Sequence, residues 1–252
     1  MCLLVVAWRS HPQYRLVIAA NRDEFRDRPA AALGEWTDAP GVYGGRDLQA
    51  GGTWLALDRR NRVGAVTNYR ELARRRRSAP SRGGLVPQFL RSPAQPGEFL
   101  RGIELDATGY AGFNLLVADS ESLWYASNRS DQFARELAPG IYGLSNHSLD
   151  TPWPKLVKVR ARFSELMLNA TLETSLLLDM LADPHPAAAA DQPSTGLPPD
   201  WERALSAPFV HHENYGTRCS TVVSVSNDGV THIVERRFDD AGRPAGDTAY
   251  DF

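Results

Sequence analysis

The sequence predicts an α+β fold, and three patterns carry that expectation. Short apolar runs of strand length recur towards both ends of the chain, separated by turn residues. The stretch from 152 to 181 instead repeats its apolar positions at helical spacing. With 252 residues, 42% of them hydrophobic, the chain can bury a sizeable core as one large domain or two small ones.

Taken in order, the chain opens with Met1-Cys2-Leu3-Leu4-Val5-Val6-Ala7-Trp8, turns at Ser10 to Gln13, and continues as Tyr14 to Ala20. Two apolar runs around a connection that contains Pro12 predict paired strands. Asn21-Arg22-Asp23-Glu24 follows where the second apolar run stops. In an antiparallel pair the end of the second strand lies beside the start of the first. That register gathers a thiol, a carboxylate, a guanidinium and, once Met1 is removed, a free amine. Phe25 to Pro29 reads as a loop, and residues 41–52, with five glycines, as a glycine-rich connection. Thr53 to Leu57 and Arg62 to Asn68 form a predicted hairpin across Asp58 to Asn61. Four consecutive arginines, Arg74 to Arg77, fall in the next loop, and Gly84 to Arg91 and Pro96 to Leu105 read as short helices. Phe113 to Ala118, Leu123 to Ser127 and Ile141 to Asn146 are further strands. Pro152 and Pro154 open a helix with apolar positions Leu156, Val159, Phe163, Leu166 and Met167. Leu172 to Leu181 is a second helix, and residues 184–200, rich in Pro and Ala, an exposed connection. Thr221 to Ser226 and Val230 to Arg236 make a hairpin around Asn227-Asp228-Gly229.

Charge and composition narrow the function. Lys and Arg number 28 against 30 Asp and Glu, a net charge of −2, so no global charge favours nucleic acid or a membrane surface. No apolar stretch approaches the ~20 residues of a spanning helix. The first residues lack a basic segment, and Arg9 ends the apolar run, which does not fit a signal peptide. The expectation is a cytoplasmic protein in which Cys2 and Cys219 are thiols rather than a disulfide.

Several residues have a chemical reading and a plainer one. Cys2 is either an N-terminal nucleophile whose own amine acts as base or a small apolar residue on a buried strand. Asn21 to Glu24 is either a solvated turn or a site in which Asp23 holds the amine while Arg22 lowers the thiol pKa or grips an anion. Asn68 and Asn146 each end an apolar run, as turn formers or as oxyanion donors. Arg218 opens a strand, Arg218-Cys219-Ser220-Thr221, where an arginine needs a partner. His211-His212-Glu213 is a weak metal candidate, because adjacent strand residues point to opposite faces.

These motifs carry a resemblance. Met1-Cys2 and Ala20-Asn21-Arg22-Asp23-Glu24-Phe25 resemble the start of the NRDE family, also called the transport and Golgi organisation protein 2 family. So do Gly51 to Ala56, Val66 to Arg70, Ser81-Arg82-Gly83, Gly112 to Leu116, Gly143 to Asn146, Thr151 to Lys155 and Tyr215 to Arg218. The resemblance spans almost the whole chain and implies one domain over 1–252. The family is in turn similar to Ntn hydrolases such as bile salt hydrolase, penicillin V acylase and acid ceramidase. That similarity implies a four-layer αββα sandwich, with Cys2 matching the nucleophile and Asp23 the aspartate that contacts the amine. Asn68 and Asn146 resemble the oxyanion and substrate-orienting asparagines, and Arg218 the late arginine. The arginine expected at position 20 is replaced by Ala20, with Arg22 two residues on and on the same strand face.

The resulting expectation is an N-terminal-cysteine amidohydrolase acting on a small amide or acyl substrate, with Cys2, Arg22, Asp23, Asn68, Asn146 and Arg218 as its catalytic set and no required cofactor. Two alternatives use the same fold: a carrier of haem or another hydrophobic ligand, and a Golgi- or membrane-organising protein using the Arg74 to Arg77 loop. The partner implied by the first two is a small molecule, with neither nucleic acid nor a transmembrane segment.

Overall fold

The two opening apolar runs pair antiparallel, as predicted, in a computed structural model that describes residues 3–71 and 79–252. In chain order the strands are β1 (Leu3–Trp8), β2 (Tyr14–Phe25), β3 (Ala30–Trp36), β4 (Ala39–Asp47), β5 (Leu55–Asp58), β6 (Val63–Asn68), β7 (Phe113–Ala118), β8 (Leu123–Ser127), β9 (Ala134–Glu136) and β10 (Gly140–Leu144). Four more close the chain: β11 (His211–His212), β12 (Tyr215–Ser226), β13 (Thr231–Phe238) and β14 (Pro244–Asp251). The helices are α1 (Leu85–Arg91), α2 (Pro96–Ala107), α3 (Pro154–Leu166), α4 (Thr174–Leu181) and α5 (Pro199–Leu205). The fold is α+β, with two antiparallel sheets of seven strands each. The chain divides into two compact units, each built on one sheet.

The first unit takes the described residues up to Asp27, Pro139–Ser145 and Asp150–Asp251. Its strands run in the order β10-β1-β2-β12-β13-β14, with β11 beside β12. Alternation along the strands sends Leu3, Val5 and Ala7 of β1 and Val17 and Ala19 of β2 to one face. There they meet Leu156, Val159, Phe163 and Leu166 of α3 and Leu177, Leu178 and Leu181 of α4 in one apolar cluster. Pro154 occupies the first turn of α3, where its missing N–H breaks no helical hydrogen bond.

The second unit comprises residues 28–138 as described, Asn146–Leu149 and Phe252. Its sheet is a meander from β3 to β9, each strand pairing with the next. Val86, Phe89 and Leu90 of α1 and Phe99 and Leu100 of α2 pack with Val66, Phe113, Leu115 and Val117 of its strands.

Several elements differ from the sequence reading, β3, β9, β11 and β14 being strands it did not assign. The glycine-rich connection at 41–52 is in large part a strand, β4, paired with β3 and β5. Gly44 and Gly45 belong to it because their neighbours leave no room for a side chain. A Cβ at Gly44 would lie 2.7 Å from the Leu55 carbonyl oxygen, and one at Gly45 2.2 Å from the Trp54 ring. β2 does not stop at Ala20 but runs on to Phe25, so Asn21 to Glu24 lies inside a strand. The connection at 184–200 leads into the short helix α5. Arg74 to Arg77, expected in a loop, lie outside the described residues, as do Met1 and Cys2.

Phe163 is fully buried at the centre of the first unit's helix layer. Phe163→Ala is expected to destabilise the protein by about 3–5 kcal/mol, the usual range for an aromatic-to-alanine truncation in a core. Denaturant unfolding should show this as a lower midpoint with an unchanged m-value.

Candidate functional site

β2 lies between β1 and β12, so its polar end is enclosed by sheet neighbours. Leu3 pairs with Asn21, and the described part of β1 therefore begins opposite the first residue of the polar segment. Asn21 is fully buried. Its Nδ2 donates to the carbonyls of Leu181 at 2.9 Å and Pro208 at 3.0 Å, and its Oδ1 accepts from the Ser220 hydroxyl at 2.6 Å. A buried amide left unpaired would cost about 1–3 kcal/mol per orphaned group, so this saturation is what lets asparagine sit inside a central strand.

Asp23 is buried two residues further on, on the same face as Asn21. Its Oδ1 accepts from the Thr217 hydroxyl at 2.8 Å, and its backbone carbonyl accepts from the Tyr215 hydroxyl at 3.1 Å. The Thr217 oxygen in turn accepts from the Val210 N–H at 2.9 Å. The Asp23 carboxylate is thus fixed from β12.

Arg22 is also buried, but alternation places it on the opposite face of β2 from Asn21 and Asp23. Its partner across the ladder is Cys219 on β12. Glu235 of β13, opposite Thr221, is buried on the same face. The Cys219 thiol is pushed well above the ordinary range, first by complete burial and then by the Glu235 carboxylate, with Arg22 pulling the other way. Burial and the acid outweigh the guanidinium, so Cys219 stays protonated.

The ladder between β2 and β12 shifts register between Thr217 and Cys219, which makes Arg218 the extra residue of a bulge. Its Nη1 donates to the Arg26 carbonyl at 3.1 Å and to Asp240 Oδ1 at 3.2 Å. Arg218, expected to open a strand, lies inside β12, which starts at Tyr215, and there it has the partner that an arginine needs.

Asn68 and Asn146 belong to the second unit and are bonded to each other. Asn68 ends β6, and its carbonyl accepts from Asn146 Nδ2 at 3.1 Å. The Asn146 carbonyl accepts from the Arg70 N–H at 2.8 Å. Asn146 has φ +52°, a left-handed conformation that asparagine tolerates better than most residues. Beside them lies a network that the sequence reading did not single out. Asn114 of β7 is fully buried, donating to Thr67 Oγ1 at 3.1 Å and to the His147 carbonyl at 2.9 Å, and accepting from the Tyr125 hydroxyl at 2.8 Å. Tyr69 and His147 are joined through the phenol oxygen and Nε2 at 3.0 Å, and burial lowers the His147 pKa. Tyr69 and Asn114 lie in two of the stretches that carry the family resemblance, Val66 to Arg70 and Gly112 to Leu116; that was the available signal.

The structure therefore gathers Asn21, Arg22, Asp23 and Arg218 at one end of the first sheet, and Asn68 with Asn146 at the end of β6 in the second unit. Among the described residues no group of three or more His, Cys, Asp and Glu is placed to hold a metal ion. No helix among them is long and apolar enough to cross a membrane.

An α+β chain with two antiparallel sheets and a buried Asn-Arg-Asp segment in a central strand is the class of protein that fold and site define. Residues 1–240 match the family model described as Transport and Golgi organisation 2, and the chain belongs to that family. It is 37% identical to the Transport and Golgi organization protein 2 homolog of Bos taurus, over 94% of this chain and 92% of that one. The Mus musculus homolog is 34% identical over the same shares, and the Drosophila melanogaster protein 29% identical over 93% and 91%. Among solved structures, the Caenorhabditis elegans N-acylethanolamine-hydrolyzing acid amidase ortholog superposes with a TM-score of 0.46 at 12% identity, covering 88% of this chain and 92% of that one.

The raised Cys219 pKa has a direct readout. Iodoacetamide at pH 8 should leave Cys219 unmodified in the native protein, because thiolate is scarce and the sulfur is enclosed. Alkylation should follow only on unfolding, as read by peptide mass. Labelling of native Cys219 at the rate of a free thiol would contradict the burial described above.

Proposed function

We propose that the protein is an amidohydrolase that uses Cys2 as an N-terminal nucleophile on a small amide or acyl substrate. The observation that carries this reading is the buried Asp23 carboxylate, held by Thr217 two residues beyond Asn21, while Asn21 pairs with Leu3, the residue that follows Cys2 in sequence. Burying a carboxylate on a central strand is poorly repaid in stability, and such groups recur where a charge must be oriented for chemistry.

In this reading Met1 is removed and the new α-amine takes the proton of its own thiol. Asp23 accepts a hydrogen bond from the ammonium so formed. The thiolate attacks the carbonyl carbon, the C–N bond breaks, and the leaving amine departs with that proton. A thioester remains on Cys2, and water hydrolyses it to release the acid and restore the thiol. Arg22 and Arg218 are the cations assigned to the thiolate and to an anionic substrate group. The roles of Asn68 and Asn146 in holding the oxyanion and orienting the substrate rest on their sequence resemblance.

Intact mass, probe labelling and turnover test the proposal. Intact mass of the native protein should show loss of the initiator methionine, and an acylating cysteine probe should label Cys2. Cys2→Ala should abolish that labelling and reduce turnover of acyl amides by about a thousandfold or more, the scale seen when a nucleophile is removed. Asp23→Asn should lower turnover while leaving the thermal transition largely in place, since the amide can still accept from Thr217. A Cys2→Ala protein that keeps every activity would end the nucleophile reading. Retained haem or hydrophobic-ligand affinity in that variant would then make the carrier the better account.

A further inference from the structure

In the first unit, the segment from 184 to 212 lines an open cleft of about 760 Å³. That volume falls within the range of small-molecule sites, roughly 300–1,000 Å³. Its walls include Pro184, Pro186, Ala204 and Phe209, so most of the lining is apolar and built from rigid or very short side chains. Phe209 is fixed edge-on against Phe238, with ring centroids 4.7 Å apart. The space exists because proline rings and alanine methyls cannot fill it.

The polar groups of the lining are unequal. Asp200 and Arg203 stand three residues apart on α5, a spacing that favours an ion pair. They do not form one. Asp200 Oδ2 faces His212 Nε2 at 3.3 Å, and that hydrogen bond is the first cause of the lowered Asp200 pKa. Among the described residues no carboxylate pairs with Arg203, which is exposed. His211 also lines the cleft, and its Nδ1 lies 3.3 Å from Arg26 Nη2. A guanidinium has no acceptor, so the imidazole Nδ1 must accept, and the ring proton then sits on Nε2. The lining thus offers one guanidinium, one carboxylate already engaged by His212, and one imidazole N–H donor beside a largely apolar wall. A dianion would find too little positive charge, and an uncharged ligand would leave Arg203 unused. Phe209 and the prolines give the wall an apolar character that suits an aromatic body.

We propose that this cleft binds a small aryl-bearing organic carboxylate, its anion held by Arg203 with the Nε2–H of His211 as second donor. The site shares no residue with the Cys2, Asn21–Asp23 and Arg218 set, so this proposal and the hydrolase proposal can fail separately.

The test uses 4-phenylbutyrate and its neutral isostere 4-phenylbutanamide with the full-length protein, binding being read by calorimetry and ligand-observed NMR. The acid should bind saturably, and the amide about tenfold or more weaker, because a charge-assisted hydrogen bond is lost. Arg203→Gln should bring the acid down to the affinity of the amide. Ala204→Phe should weaken both by occupying part of the cleft. Arg203 is exposed, so its variant should fold even if Ala204→Phe does not; matched thermal unfolding curves check each. Equal affinity for acid and amide, an Arg203→Gln protein that binds the acid unchanged, or no saturable binding of the acid up to about 10 mM would overturn the proposal.

Discussion

The first unit depends on one constraint: a central strand that carries polar side chains must find hydrogen-bond partners for them within the protein. β2 runs for 12 residues, and its second half is as deeply enclosed as its first. Asn21 meets that requirement by reaching three separate places, the end of α4 at Leu181, the loop carbonyl of Pro208 and the hydroxyl of Ser220. Thr217 donates to one oxygen of the Asp23 carboxylate while also accepting from Val210. These bonds bind the helix layer, the loop before β11 and the strand β12 to one short segment. The bulge at Arg218 sits where this pinning meets the regular ladder, and the extra residue lets Thr217 and Ser220 both face their partners on β2. Removing the polar segment would therefore loosen more than a strand end.

The second unit follows the same logic with different residues. Asn114 sits in the interior strand β7 and spends its amide on Thr67, on Tyr125 and on the backbone at His147. The Tyr125 hydroxyl then accepts from the Leu149 N–H at 3.2 Å. The short stretch Asn146–Leu149 has little apolar surface of its own, yet it is tied to its unit through this network and through the Asn68 carbonyl. In both units a fully buried asparagine on an interior strand anchors a segment distant in sequence. An amide suits this task because it donates and accepts without carrying a charge whose burial would have to be compensated.

This arrangement explains what the sequence could and could not disclose. Strands with dense apolar runs, such as Leu3–Trp8 and Phe113–Ala118, were legible, as were the helices whose apolar positions recur every three or four residues. β4 was hidden because its glycines are required by close backbone approach, which resembles a loop in composition. β14 was hidden because it lies at the edge of its sheet, mostly exposed and poor in apolar residues. Asn21 to Glu24 read as a turn because a polar tetrapeptide after an apolar run ordinarily is one. The partners that keep it extended lie 160 to 199 residues away, beyond any local pattern. The motif resemblance marked the right residues, but only the register shows that Arg22 and Asp23 face opposite sides of the strand.

That division of faces bears on why the chain treats its described cysteine as inert. Arg22 is the kind of neighbour that activates a thiol, and it stands directly across from Cys219. Activation also needs solvent access and an absence of competing negative charge. Cys219 has neither, since it is wholly enclosed and the Glu235 carboxylate shares its surroundings. The thiol's strand thus lies between those of the acid and the guanidinium, and the guanidinium fails to ionise it. On the other face, Asp23 has a hydroxyl donor and no such acid among the partners described for it. The same strand holds a cation towards one side and an anion towards the other, each in a buried setting. A strand built in this way keeps the two charges from neutralising each other, which a pair of neighbours on one helix face would do.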